Sequence, residues 1–170
     1  VEFIGFPCYL KYTQRHIEAV SSHLILYSEA DYEAAQAKIA LGTCILEAWI
    51  PSEKVVSLSV VRNERGELLV YPPFEQVQSS AVSGTQVRYP VKLHEEVERE
   101  IRRLGRYLVE TLALVGCMTI DFLVTSAGVV YINSVEIGAK DAAMFTLGAM
   151  SLSCYEAMVR ACLLYTSDAA

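Results

Sequence analysis

Two hydrophobic periodicities dominate the sequence, and the first is an alternation of apolar and polar residues over positions 54–62. Three apolar side chains share one face of an extended segment and two serines share the other, in the order Val56, Ser57, Leu58, Ser59 and Val60. This alternation predicts a half-buried antiparallel strand. Residues 63–66 then predict a turn, and residues 67–71 predict the returning strand.

The second periodicity has steps of three and four and predicts a helix. Its apolar members are Leu93, Val97, Ile101, Leu104, Leu108 and Leu112. They form one stripe opposite a surface rich in glutamate and arginine, so we expect this helix to dock on a sheet. A shorter helix is predicted to run to about Leu41 and to end at Gly42, because Ser28 and Asp31 have the spacing of a capping box.

Shorter apolar runs predict the remaining elements. Strands are expected at residues 3–11, 23–27, 44–50, 117–124 and 129–133. The last two are expected to form a hairpin with a three-residue loop, in which Gly128 supplies the positive φ. Residues 72–90 are polar and predict either a long loop or an edge hairpin. A final helix is predicted over residues 150–161.

Composition excludes several classes of protein. With 53% hydrophobic and 20% charged residues, the 170-residue chain can bury a core and is not a disordered chain. A net charge of −6 gives no general attraction for nucleic acid, so no nucleic-acid partner is expected. No apolar run reaches the roughly 18 residues of a membrane span. The five cysteines form no C-x-x-C pair, which favours a reducing, cytoplasmic setting.

Both ends of the chain indicate a fragment of a longer protein. The chain opens at Val1 rather than at methionine, and residues 162–170, CLLYTSDAA, resemble a translated transposase adapter of sequencing libraries. We therefore exclude this tail from the fold prediction. The alternative is that Leu163, Leu164 and Tyr165 continue a genuine helix.

A pair of polar residues in the predicted hairpin is a candidate metal site. A three-residue loop pairs Thr125 with Val129, which is expected to place Asp121 opposite Asn133 with their Cβ atoms about 5 Å apart. Two oxygen ligands at that separation can share one magnesium ion, with water and substrate phosphates in its other positions. The alternative is that Asn133 serves a turn and that Asp121 is a surface residue.

Two charged residues near the ends of strands are candidates for ligand binding. Lys11 could reach a phosphate group as a point charge, and the alternative is a solvated lysine. Glu47 lies in the segment ILEAWIP, where a strand edge could offer hydrogen bonds to a small polar ring. The alternative is an ordinary exposed face.

The order of several segments resembles a known family. These segments are GFPCYLKY, CILEAWIP, VVSLSVVRNERGELLVYPPFEQVQ, VGCMTIDFLVTSAGVVYIN and SCYEAMVRA. In this order they are similar to the ATP-grasp enzymes of the N5-carboxyaminoimidazole ribonucleotide synthase family of purine biosynthesis. The resemblance covers nearly all of residues 3–161 and lacks that family's N-terminal domain and C-terminal tail. It implies an α+β ATP-grasp fold, with a small lobe over residues 1–52 and a larger antiparallel lobe over residues 53–161.

The resemblance also implies an activity and a set of site residues. The activity is the ATP-dependent joining of bicarbonate to aminoimidazole ribonucleotide through a carboxyphosphate, with magnesium on the phosphates. By resemblance, Lys11 would contact the ATP phosphates. The adenine and ribose would contact Glu47, Ala48, Trp49 and Ile50. Magnesium would be bound by Asp121 and Asn133. No catalytic residue is assigned, and a homodimer is compatible with the resemblance.

Several family positions are substituted in this chain. The glycine-rich phosphate loop corresponds to residues 16–22, HIEAVSS, which contain no glycine. Val55 stands where the family has a ribose-binding carboxylate, and Gln78 where it has a histidine. Ser134 replaces a second metal carboxylate, and Gly138 replaces an arginine. We therefore expect impaired activity and weak or absent binding of ATP and magnesium, and the alternative is a non-catalytic relative that acts as a binding or dimerising module.

One compensation for the lost acid and base is conceivable. Glu136 and Lys140 keep the family's acid-to-base spacing but are displaced by two residues. Since side chains alternate along a strand, a slip of two would preserve the face. A slipped strand could thus return a carboxylate to the ion.

Overall fold

The chain separates into two compact units, Val1–Pro51 and Ser52–Ala170. The computed structural model describes residues 4–13, 23–78 and 85–163. Each unit combines helices with antiparallel strands, which confirms the predicted α+β fold class.

Two of the sequence predictions concern residues that the structure does not describe. The segment without glycine, residues 16–22, lies outside the described residues. So do residues 164–170 of the predicted tail.

The first unit contains, in its described part, a three-stranded antiparallel sheet with the order β2-β1-β3. Its elements are β1 (Cys8–Tyr12), β2 (His23–Leu26), α1 (Tyr32–Leu41) and β3 (Cys44–Ala48). One face of the sheet packs on α1 through a small core of Cys8, Leu10, Leu26 and Ala35. Because residues alternate between faces, Tyr9 and Lys11 of β1 belong to the opposite face.

The predicted capping box before α1 is confirmed. The Ser28 hydroxyl accepts a hydrogen bond from the Ala30 amide at 3.3 Å, and the Asp31 carboxylate accepts one from the Ser28 amide at 3.0 Å. A 3₁₀ turn, Glu29–Asp31, leads from this box into α1. The helix ends at Leu41 with Gly42 as its C-cap, as predicted.

The described part of the second unit is built on a six-stranded antiparallel sheet. Its strands are β4 (Lys54–Arg62), β5 (Leu68–Val70), β6 (Phe74–Gln78), β7 (Thr85–Arg88), β8 (Gly116–Val124) and β9 (Val130–Ile137). They follow the order β7-β6-β4-β8-β9, with β5 beside β4. Strands β6 and β7 form an edge hairpin, which is one of the two alternatives predicted for the polar segment 72–90.

Helices cover both faces of this sheet. Helix α2 (Glu95–Thr111) packs on one face, in a core with the apolar face of β4: Val56, Leu58, Val60, Val97, Ile101 and Val109. Helix α4 (Cys154–Cys162), which follows the short helix α3 (Thr146–Ala149), contributes to the core on the other face. Ser57 and Ser59 lie on that second face and are fully buried. The prediction of a half-buried β4 was therefore wrong.

The hairpin of β8 and β9 contains an irregularity that the sequence did not predict. Its loop is as expected, since the Thr125 amide donates to the Val129 carbonyl at 3.0 Å and Gly128 has a φ of 79°. Further along, Phe122 pairs with Ile132 but Asp121 pairs with Ser134. Asn133 is the extra residue of a β-bulge. The prediction that Asp121 lies opposite Asn133 was therefore wrong.

Among the described residues, no single helix is long and apolar enough to cross a membrane. Within the described ranges, one pair of segments, Asp141–Ala149 and Cys154–Cys162, passes by length and composition alone when taken together across a bend of 100°.

Candidate functional site

Asp121 is a buried carboxylate on a central strand of the larger sheet. It is 6% exposed and lies on β8, on the face that carries Ser57 of the neighbouring strand β4. Its Oδ1 atom accepts hydrogen bonds from Ser57 Oγ at 2.6 Å and from Gln76 Nε2 at 2.9 Å. Burial of an ionised carboxylate is unfavourable unless such donors compensate for the lost water.

The second carboxylate oxygen of Asp121 holds an ammonium group. Asp121 Oδ2 accepts from Lys140 Nζ at 2.6 Å and from Ser134 Oγ at 2.9 Å. The same ammonium lies 3.2 Å from Glu136 Oε1. With the Lys140 side chain 18% exposed, the positive charge sits between two carboxylates in a mostly dry position.

The backbone that carries Lys140 is fixed by several hydrogen bonds. Gly138 has a φ of 113°, and its amide donates to the Cys117 carbonyl at 2.7 Å. The Thr119 hydroxyl donates to the Gly138 carbonyl at 2.9 Å, and the Tyr155 hydroxyl donates to the Lys140 carbonyl at 2.8 Å. Burial raises the pKa of Tyr155, and the nearby carboxylate of Asp141 adds to this, so the hydroxyl keeps its proton at neutral pH.

The contacts of Asp121 do not fit a magnesium ion. A carboxylate offers about four lone-pair sites, and four donors contact the two oxygens of Asp121. An ion at about 2.1 Å would have to displace at least one of them. Asn133 is exposed, and among the described residues no group of three or more His, Cys, Asp or Glu side chains could hold a metal ion. The assignment of magnesium to Asp121 and Asn133 stays a prediction that this geometry does not favour.

The suggested slip of β9 by two residues is not observed. Glu136 pairs with Thr119, two residues from the pair formed by Asp121 and Ser134. Glu136 therefore shares a face with Asp121, and both carboxylates contact the Lys140 ammonium. Sequence reasoning identified Glu136 and Lys140 by their spacing, and it missed Ser57 and Gln76, whose positions depend on long-range strand pairing.

Three candidate ligand residues of the first unit lie on the face of the sheet opposite its core, namely Lys11, Glu47 and Trp49. The Lys11 ammonium forms an ion pair with the Glu47 carboxylate and lies 5.5 Å from the ring centroid of Tyr9. Tyr9 in turn stacks on Trp49, with ring centroids 5.0 Å apart and planes at 6°. The structure thus brings Lys11, Glu47 and Trp49 into one cluster.

The remaining two candidates flank this cluster. Ala48 is the last residue of β3, pairs with Cys8 and is exposed, and Ile50 follows the strand and is half-buried. In the described part of the chain β3 is an edge strand, so the backbone groups on its outer side can bond to a ligand. The ligand roles of all five residues stay predictions.

Comparison with known proteins identifies the family. The ATP-grasp domain family matches residues 1–155. N5-carboxyaminoimidazole ribonucleotide synthase of Bacillus subtilis (strain 168) is 25% identical over 161 residues, which are 95% of this chain and 42% of that protein. D-alanine–D-alanine ligase A of Brucella melitensis biotype 1 is 27% identical over 158 residues, with 84% of this chain and 44% of that protein covered.

A solved structure shares the fold. The crystal structure of an N5-carboxyaminoimidazole ribonucleotide synthetase in complex with ADP has a TM-score of 0.87 and 28% identity, covering 94% of this chain and 42% of that one. The chain therefore spans less than half the length of the relatives it matches. The resemblance to N5-carboxyaminoimidazole ribonucleotide synthases is confirmed. Since the family match extends over nearly the whole sequence, this chain belongs to the ATP-grasp domain family.

Proposed function

We propose that this chain is the nucleotide-binding part of a cytoplasmic enzyme that uses ATP to carboxylate aminoimidazole ribonucleotide, with bicarbonate activated as carboxyphosphate. The observation that carries the proposal is the similarity of this chain, in sequence and fold, to an N5-carboxyaminoimidazole ribonucleotide synthetase whose structure was solved with ADP. The relative from Bacillus subtilis is also an N5-carboxyaminoimidazole ribonucleotide synthase. In such chemistry the protein mainly positions the reactants and neutralises developing charge.

The cluster on the first unit is the proposed nucleotide-binding surface. The Lys11 side chain is 32% exposed and the Glu47 side chain 42% exposed, so their ion pair contributes little to stability and can open. The ammonium can then turn to a phosphate group. The edge of β3 at Ala48 offers backbone hydrogen bonds to a purine ring, and Trp49 and Ile50 offer apolar contact.

A second candidate function is a non-catalytic module that keeps the fold and binds a ligand or a second subunit. The observation that favours it is the substitution at Ser134, where a hydroxyl rather than a carboxylate contacts Asp121. A site with one fewer acid holds a cation less strongly. We propose on this basis that turnover is impaired even where nucleotide binding is retained.

The test is a calorimetric titration of the 170-residue chain with ADP. Wild type is expected to bind ADP, and Lys11→Met is expected to bind it about tenfold or more weakly, because a charge-assisted hydrogen bond is worth about 1.5–3 kcal/mol. Lys92→Met removes the same charge from an exposed position on the second unit and serves as the control.

The outcomes separate the two functions. Equal ADP affinity in wild type and Lys11→Met would contradict the role of Lys11. No binding of ADP by wild type would contradict the nucleotide-binding function and favour the module. Sedimentation equilibrium of the same sample then shows whether the chain forms a dimer.

A further inference from the structure

We propose that the Lys140 ammonium is a built-in counter-cation that takes the place of a divalent metal ion at Asp121. ATP-grasp homologues of this kind use ATP with magnesium, so the proposal deepens the proposed function and rests on it for its biological meaning. The cation of this site is then part of the polypeptide, and Asp121 does not bind a free divalent ion.

The first support is the charge arrangement. The Lys140 ammonium lies 2.6 Å from Asp121 Oδ2 and 3.2 Å from Glu136 Oε1, and thus bridges the two carboxylates as a bound cation would. A divalent ion on Asp121 Oδ2 would lie beside this ammonium. Like charges at such a distance in a mostly dry site repel each other strongly, so the lysine and the ion exclude each other.

The second support is the way the lysine is held. Gly138 bends the chain through a positive φ that a side chain would strain, and hydrogen bonds fix its amide and carbonyl to Cys117 and Thr119. Tyr155 fixes the Lys140 carbonyl. The backbone at Gly138 and at Lys140 is thus held by hydrogen bonds that do not involve the ion pair. A lysine that reached Asp121 only by chance would not need these anchors.

The third support is that a hydrogen-bond donor, Ser134, stands at the position of the family's second metal carboxylate. Ser134 lies directly opposite Asp121, and its hydroxyl donates a hydrogen bond to Oδ2. Ser57 and Gln76 donate to Oδ1. All four contacts that the described residues make to the carboxylate are donors, whereas a metal ion on Asp121 would need oxygen acceptors at those positions. The surroundings of Asp121 are therefore complementary to a carboxylate that already has its cation.

The test measures Mn²⁺ binding to the full chain, without nucleotide, from the electron paramagnetic resonance signal of free Mn²⁺. Wild type and the control Lys92→Met are expected to bind Mn²⁺ only weakly. Lys140→Met removes the ammonium at nearly constant size and is expected to bind Mn²⁺ about tenfold or more tightly than wild type. The double variant Lys140→Met with Ser134→Glu adds a carboxylate opposite Asp121 and is expected to bind more tightly still.

The proposal is overturned if Lys140→Met has a wild-type circular dichroism spectrum and binds Mn²⁺ no more tightly than wild type. The double variant should then also show no gain in Mn²⁺ binding. Lys140→Gln keeps a hydrogen-bond donor near Asp121 without the charge, and it replaces Lys140→Met in the comparison if that variant does not fold.

These results are independent of the nucleotide titration. Mn²⁺ is measured without ADP, and Lys11 and Trp49 belong to the other unit. If the chain binds no ADP but gains Mn²⁺ binding on loss of Lys140, the proposed function is contradicted and the counter-cation role of Lys140 is supported. If the chain binds ADP but gains no Mn²⁺ binding on loss of Lys140, the proposed function is supported and the counter-cation role is contradicted.

Discussion

Gly105 lies in the middle of α2 because no side chain fits between this helix and the sheet. A Cβ atom built at Gly105 would come within 2.4 Å of Leu58 Cδ2 and 3.4 Å of Val60 Cγ2, and both side chains are fully buried. The buried line of the helix is Val97, Ile101, Gly105 and Val109. The predicted stripe continued through Leu104 and Leu108, which are only partly buried, because a glycine carries no hydrophobic signal.

Gly105→Ala is therefore expected to destabilise the protein although alanine is the better helix former. Overpacking a buried contact costs about 1–3 kcal/mol, and the gain in helix propensity offsets about 1 kcal/mol of this. Urea unfolding should show a net loss of about 1 kcal/mol. Gly148→Ala is the control, since nothing lies within 4 Å of a Cβ atom at Gly148 in α3. A Gly105→Ala variant as stable as Gly148→Ala would contradict the tight packing of α2.

Asp121 could be selected from the sequence because a single acid in an apolar strand is unusual. Its contacts with Ser57, Gln76 and Ser134 could not, for two physical reasons. The bulge at Asn133 inserts one residue, and a shift of one residue changes which side chain lies opposite Asp121. The contacts with Ser57 and Gln76 depend on the pairing of strands far apart in sequence, which local patterns do not encode.

At the scale of elements, a segment is predictable where its own residues specify both its type and its ends. Helix α1 has a capping box at Ser28 and a glycine at its end, and its predicted end at Leu41 is confirmed. Strand β4 was predicted with its observed ends, Lys54–Arg62, but not with its buried serines. The alternation shows the polarity of each face and not what covers it. Here α4 covers the face of Ser57 and Ser59.

Helix α4 begins later than predicted, because Ser153 provides its N-cap. The Ser153 hydroxyl accepts a hydrogen bond from the Glu156 amide at 3.2 Å. Ser153→Ala is expected to lower the free energy of unfolding by about 1 kcal/mol, whereas Ser153→Asp should retain most of the stability. Thermal unfolding measures both, with Ser151→Ala at an exposed neighbouring serine as the control. Equal stability of the two alanine variants would show that Ser153 does not cap the helix.

At the scale of the whole molecule, the burial of Tyr71 makes the stability of the fold depend on pH in the alkaline range. Burial raises the pKa of Tyr71 well above its ordinary value of 10.0, and the nearby thiols of Cys154 and Cys117 add to this. The side chain is 3% exposed, and its hydroxyl donates to the Leu152 carbonyl at 3.0 Å, just before α4. Because the pKa is raised in the folded state, the contribution of Tyr71 to the free energy of unfolding is fully present below pH 10 and decreases as the pH rises above 10.

Tyr71→Phe should separate these two effects of the hydroxyl. At pH 7 the variant is expected to lose about 1 kcal/mol, because the Leu152 carbonyl loses its donor. Between about pH 10 and pH 12 its stability should decline less steeply than that of wild type, by up to about 1.4 kcal/mol per pH unit, since one tyrosine no longer ionises on unfolding. Tyr107→Phe alters an exposed tyrosine and should keep both the wild-type stability and the wild-type decline. Urea unfolding at a series of pH values measures the free energy of unfolding of each protein as a function of pH. If this free energy declines equally steeply in wild type and in Tyr71→Phe, ionisation of Tyr71 does not cause the alkaline loss of stability.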